Sequence, residues 1–311
     1  MTLEALALAP PTRDAAAPAR AILAARLSAG EAAVAHILAA QAGLPGPRSN
    51  LFEGTAGTLA AALIVRGSVE DPRLERIVAP GVAWLARQAR AAVEFDAITG
   101  LAGLGRLLLL ARDLGYDRAG PGLEAALRSL SGLLGPGIAR PGMAHGLAGP
   151  VALLAIALDA GVAVPGQREA LQAAAARLAA AARLAAWPAE PRHQWCVGTA
   201  GIARAVQLAG NALADPALTR AGTEALSAIA ATPPDRWGVR DAMLCCGYAG
   251  VLRTALSAGL PALADATAAA IRDTWRPGDA SLLYGDAGVA LALHDHANPG
   301  PVTWPALLLV Q

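Results

Sequence analysis

The sequence predicts an all-α protein, an α/α toroid of six to seven helix pairs, on three observations. Ala and Leu dominate a chain that is 55% hydrophobic and only 4% aromatic, a composition that favours helix over sheet. The tetrad Gly-x-Ala-Gly recurs six times, starting at Gly54, Gly100, Gly146, Gly198, Gly247 and Gly285, at spacings of 46, 46, 52, 49 and 38 residues. Each copy opens an apolar stretch of helical length, and several follow an amphipathic one.

One repeat therefore reads as an outer amphipathic helix, a loop and an inner apolar helix. PGLEAALRSLSGLL and QREALQAAAARLAAAARL carry Arg and Glu among their apolar residues and read as outer helices. LGRLLLLARDLG and PVALLAIALDAG, which follow tetrads, are apolar nearly all round and read as inner helices. The tetrad glycines suit the loop between them, because a residue without Cβ permits positive φ and lets the inner helix start close to its neighbours. Such pairs cannot bury their apolar faces singly, so they stack into a solenoid or close into a ring, and inner helices this apolar favour the ring. Residues 1–20 read as a Pro-containing lead-in, PVTWPALLLVQ at the other end reads as a further element, and no linker interrupts 45–298. The whole of 1–311 is expected to form one domain.

The net charge is +1 with no basic block, which excludes the electrostatic footprint of nucleic-acid or membrane-surface binding. Mean hydropathy is +0.43, yet Arg177, Arg204 and Arg253 interrupt the apolar segments, and no run nears the roughly 20 residues of a spanning helix. The protein is not expected to be transmembrane. The first residues lack the basic start and long apolar run of a secretory signal, so a cytoplasmic protein is expected. In a reducing compartment its three cysteines read as metal ligands or reactive thiols.

Equivalent positions of a rotational repeat share one rim, so the residues just ahead of each tetrad are expected to meet. They are Glu53, Asp96, His145, Cys196, Cys245 with Cys246, and Tyr284, a set that takes in every cysteine. Cys245 and Cys246 are adjacent in LCCGYAG, where a mutual disulfide would be strained. Three thiolates on one rim suit Zn2+, which sulfur binds tetrahedrally at about 2.3 Å, and three protein ligands leave a fourth position for water or substrate. His145 is open to two readings, a fourth ligand or an acid/base; the second is preferred because three sulfurs already form a set. Asp96 competes with a plain N-cap role, and His193 with loop surface. Arg106, Arg204 and Arg253 each lie three residues past a tetrad and are expected to bridge neighbouring helices. His36, His294 and His296 read as bystanders.

From Gly54 to Gly288 the motifs resemble those of the lanthionine synthetase C-like family, the cyclases that form thioether rings in lanthipeptides. The resemblance rests on Asp96 in FDAITGLAG, Ala144-His145-Gly146, Arg192-His193-Gln194-Trp195-Cys196, and Cys245-Cys246-Gly247 in place of the commoner Cys-His-Gly. It implies that Cys196 and Cys245 bind zinc, that Asp96, His145 and Arg192 serve the reaction, and that Cys246 replaces a histidine ligand. Val197 stands where some members carry tyrosine. The implied reaction adds a peptide cysteine thiolate to a dehydroalanine or dehydrobutyrine and protonates the resulting enolate. His145 handles the proton, Asp96 orients it or shares the transfer, and Arg192 stabilises enolate charge. The implied substrate is a dehydrated precursor peptide, prepared by a separate dehydratase. Two other readings are a prenyltransferase-like toroid that activates a thiol on zinc, and a non-catalytic peptide-binding scaffold with a saturated structural zinc.

Overall fold

Each Gly-x-Ala-Gly tetrad starts a helix that is buried on nearly every side. In the computed structural model, which describes residues 3–42, 50–52, 54–134, 140–183 and 192–311, these are α4 (Gly54–Arg66), α6 (Leu101–Asp113), α8 (Ala148–Asp159), α10 (Thr199–Leu213), α12 (Tyr248–Ala258) and α14 (Asp286–Ala297). Partly exposed helices alternate with them: α3 (Gly30–Ala42), α5 (Pro72–Ala91), α7 (Gly120–Leu133), α9 (Gln167–Arg183), α11 (Pro216–Ala230) and α13 (Pro261–Thr274). Two of these outer helices begin with Asp-Pro. The carboxylates of Asp71 and Asp215 accept from Arg73 N at 2.7 Å and Ala217 N at 2.9 Å, and the proline takes a position whose N–H needs no partner.

The inner helices pack in chain order, α4 to α6, α8, α10, α12 and α14, and the outer helices pack outside them. Six inner helices do not close the ring. The seventh is α2 (Ala17–Arg26), which lies between α14 and α4 and starts inside the segment read as a lead-in. No tetrad precedes it, so the repeat does not reveal it. The five-residue α1 (Leu3–Ala7) rests on α2 and α14. The result is the all-helical toroid that the repeat predicts, and among the described residues no helix is long and apolar enough to cross a membrane.

Glycine acts mainly through close approach. Gly54 alone among the first tetrad glycines has positive φ, +67°. Gly198, Gly247 and Gly285 are extended, and a Cβ on any of them would strike the backbone of its own loop. The second glycines let each helix start lie on the neighbouring loop: a Cβ on Gly250 would meet Leu244 O and the Trp195 side chain.

The arginines past the tetrads divide into two kinds. Arg253 bridges helices as expected, donating to Asp295 on α14 at 3.0 Å. Arg106 and Arg204 instead turn inward and donate to carbonyls of residues 310–311, which run into the ring. Asp295 is 4% exposed and also accepts from Arg26 of α2 at 2.8 Å and from the Trp304 indole at 2.8 Å. One carboxylate thus joins the last inner helix to the first.

Two measurements test this packing, the first at the closure and the second where α3 meets α1. Asp295→Ala leaves Arg253 buried without its counter-charge and is expected to lower stability by about 3–5 kcal/mol in denaturant unfolding. His36 of α3 is fully buried, with Nε2 3.0 Å from Ala7 O and Nδ1 unpartnered, and burial lowers its pKa below the ordinary 6.5. The unfolded chain therefore takes up this proton at higher pH than the folded one, so the contribution is intact above about pH 6.5 and is lost as pH falls below it. The drop in melting temperature from about pH 7.5 to 5.5 is expected to be smaller in His36→Gln.

Candidate metal and acid–base site

Five loops that lead into inner helices close in the same way. The residue six before the first tetrad glycine accepts, through its carbonyl, the N–H of the residue after that glycine. The pairs are Glu94 with Leu101, Arg140 with Leu147, Arg192 with Thr199, Asp241 with Tyr248 and Asp279 with Asp286, at 2.7–2.9 Å. Neighbouring loops are then joined to one another through the backbone. Ala97 N donates to Ala144 O, Ala144 N to Cys196 O, Cys196 N to Cys245 O and Cys245 N to Leu283 O, at 3.0–3.3 Å. Side chains one or two residues before the glycines are thereby gathered on one rim, at the N-terminal ends of the inner helices. Glu53, expected on the same rim, lies outside the described residues.

The three cysteines come together. Cys196 Sγ is 3.2 Å from Cys246 Sγ, Cys246 Sγ is 3.5 Å from Cys245 Sγ, and all three lie within 4.8 Å of one another. Cys196 and Cys245 are buried, and Cys246 is partly exposed. Among the described residues no histidine or carboxylate joins the set. Sulfurs this close ionise as a group. Hydrogen bonds from Cys196 and Cys245 hold the Cys246 thiol well below the ordinary range, whereas hydrogen bonding to Cys245 and Cys246, with burial, pushes Cys196 far above it. A cation held between them would stabilise all three as thiolates. A soft sulfur set with one side open therefore fits a divalent, thiophilic metal such as zinc, with the fourth tetrahedral position free for an external ligand.

The second part of the rim is a histidine–carboxylate pair. His145 Nδ1 is 2.7 Å from Asp96 Oδ2. The other carboxylate oxygen, Oδ1, accepts from Ile98 N at 2.9 Å and Thr99 N at 2.8 Å. Asp96 is therefore not the N-cap of α6, a position held by Gly100 with no side-chain cap; it closes the turn before the helix and still presents an oxygen to His145. Its side chain is 12% exposed against 56% for His145, so the carboxylate is held and the imidazole edge is open to solvent. With Asp96 accepting at Nδ1–H, Nε2 is the nitrogen free to exchange a proton. The Ala144–Cys196 bond ties this pair's loop to the cysteine loop.

Arg192 is exposed and opens the loop that carries Cys196, its carbonyl accepting from Thr199 N at 2.9 Å. His193 is not loop surface: Nδ1 lies 3.1 Å from Thr199 Oγ1 and the ring meets Trp237 edge-on, while burial lowers its pKa. Thr99 is the residue that sequence reasoning passed over. Its N–H and hydroxyl fix Asp96, and the Asp-x-x-Thr spacing of a capped turn is the signal that marks it. Tyr284, on the next loop, sets its hydroxyl within reach of Cys245 and is 54% exposed.

The family model described as lanthionine synthetase C-like protein matches residues 25–260. Among solved structures, one named nisin cyclase superposes with a TM-score of 0.77 at 19% identity, over 94% of this chain and 90% of that one, a likeness of fold. No curated protein matches the chain by sequence.

If the sulfur cluster is a metal site, protein prepared with zinc is expected to hold about one equivalent, and Cys245→Ala to lose most of it while keeping its helical circular dichroism. Elemental analysis of the two proteins checks this. Undiminished zinc in Cys245→Ala places the metal elsewhere.

Proposed function

The chain belongs to the lanthionine synthetase C-like family, and on that premise we propose that it is a zinc-dependent lanthipeptide cyclase acting as one domain. The observation that carries this reading is the convergence of three sulfurs, open on one side, with a histidine–carboxylate pair on an adjoining loop of the same rim. Cys196, Cys245 and Cys246 would hold the zinc, which when bound lowers the pKa of a thiol placed beside it.

The remaining work falls to the chain's own groups. The substrate is a precursor peptide whose Ser and Thr have been dehydrated elsewhere, by a separate dehydratase. The proton leaving its cysteine goes to His145 Nε2, with Asp96 holding the ring and balancing the imidazolium charge. Carbon–sulfur bond formation at the β-carbon of dehydroalanine or dehydrobutyrine places negative charge on the neighbouring carbonyl oxygen. Arg192, exposed at the head of the Cys196 loop, stabilises that enolate. His145 then returns the proton to Cα, so each thioether forms with no net gain or loss of atoms. The lack of a fourth protein ligand among the described residues favours this reading over a scaffold with a saturated structural zinc. Free thiols at the site suit a cytoplasmic location.

Zinc-loaded protein incubated with a dehydrated cysteine-containing peptide is expected to remove the peptide's free thiols without changing its mass, read by alkylation and mass spectrometry. Thiols that stay free at the uncatalysed rate sink the proposal. His145→Ala and Asp96→Asn are expected to keep zinc and slow cyclisation by about 10²–10⁴-fold. A His145→Ala protein of normal rate removes that residue from the proton path.

A further inference from the structure

Residues 304–310 enter the ring instead of crossing its surface. The 3-10 helix Trp304–Leu308 packs on α4 and α6, and Trp304 and the residues from Ala306 to Val310 are at most 2% exposed. A buried irregular segment needs partners for its carbonyls, and here three come from conspicuous donors. Arg204 Nε donates to Val310 O at 2.8 Å, Arg106 Nη2 to Gln311 O at 3.2 Å, and the Trp195 indole to Leu308 O at 2.9 Å.

The third of these bonds reaches the candidate metal site. Trp195 is fully buried, meets Phe52 edge-on at 6.5 Å between ring centroids, and directly precedes Cys196 in the chain. Its carbonyl abuts Gly201, where no Cβ fits. The backbone of Cys196 is held on one side by Ala144 N and on the other by Cys245 O. Its side chain leaves that backbone next to an indole anchored from inside the ring.

We infer that residues 304–311 are an internal strut that sets the position of the Cys196 sulfur through Trp195, so that metal affinity at Cys196, Cys245 and Cys246 depends on a segment that supplies no ligand. Trp195 is a positioning residue in this arrangement. The physical reason is the narrow tolerance of a metal–sulfur distance, about 0.2 Å, against a ligand carried on a loop. Loss of a contact that orients a ligand typically weakens metal binding about 10–100-fold. The inference rests on the metal reading of the sulfur cluster and extends it.

The test uses the full chain freed of metal and titrated with cobalt(II) without oxygen, followed by the sulfur-to-cobalt charge-transfer and tetrahedral d–d bands. Melting temperatures are taken on the same samples. Trp195→Phe keeps an aromatic ring and removes the N–H; Arg204→Met removes the second anchor of the strut. Both are expected to bind cobalt at least about 10-fold more weakly than the wild type, with altered d–d bands. A folded variant that melts lower yet binds cobalt with unchanged affinity and spectrum shows that the segment only stabilises the fold, and overturns the inference. If Trp195→Phe does not fold, Arg204→Met decides alone. Wild-type protein that takes up no cobalt is a different failure, since it removes the metal reading itself and the strut's role with it.

Discussion

The backbone hydrogen bonds that run from loop to loop around the rim are the constraint on which the rest of the structure depends. Five inner helices, α6, α8, α10, α12 and α14, start from a loop closed by the same carbonyl-to-amide bond, and successive loops are bonded through Ala97, Ala144, Cys196, Cys245 and Leu283. The residues joined from loop to loop are all buried, so leaving one of these bonds unmade is costly. They fix the spacing of neighbouring loops to the length of a hydrogen bond. Residues far apart in the chain then fall side by side, and any polar residue placed just before a tetrad glycine is delivered to the same rim.

A ring also has to close, and the means of closure differ from those of the repeat. The seventh inner helix, α2, has no tetrad and no copy of the standard loop. Asp295 ties its Arg26 to Arg253 and Trp304, so one buried carboxylate answers two guanidinium groups. The ring's interior is filled by Trp304 to Val310 and by inward-turned Arg106 and Arg204. A chain segment that brings its own carbonyls into the interior needs donors for them, which Arg106, Arg204 and Trp195 supply.

The rim divides its chemistry by environment. The sulfurs of Cys196 and Cys245 are buried, where crowding makes full ionisation unfavourable without a cation. His145 stands in solvent, held by a carboxylate that is itself held by two backbone N–H groups. The sulfur cluster and the histidine–carboxylate pair thereby sit on different loops of the same rim, joined by the Ala144–Cys196 backbone bond.

Much of this was legible in the sequence, for a physical reason. A repeat with glycines at fixed places specifies the helix pairs, because only glycine permits each inner helix to start against its neighbour's loop, as at Gly201 and Gly250. Cys196, Cys245, Cys246, His145 and Asp96 could be placed on one rim from their distance to those glycines alone. Tertiary structure decided what the repeat does not encode. It showed α2 inside a segment that reads as a lead-in, since burial between α14 and α4, and no local signal, makes it an inner helix. It turned Arg106 and Arg204 toward the carbonyls of residues 310–311, acceptors that no periodicity in the sequence announces. It gave Asp96 two tasks at once, because a carboxylate has two oxygens and only the folded loop shows that one of them is left for His145.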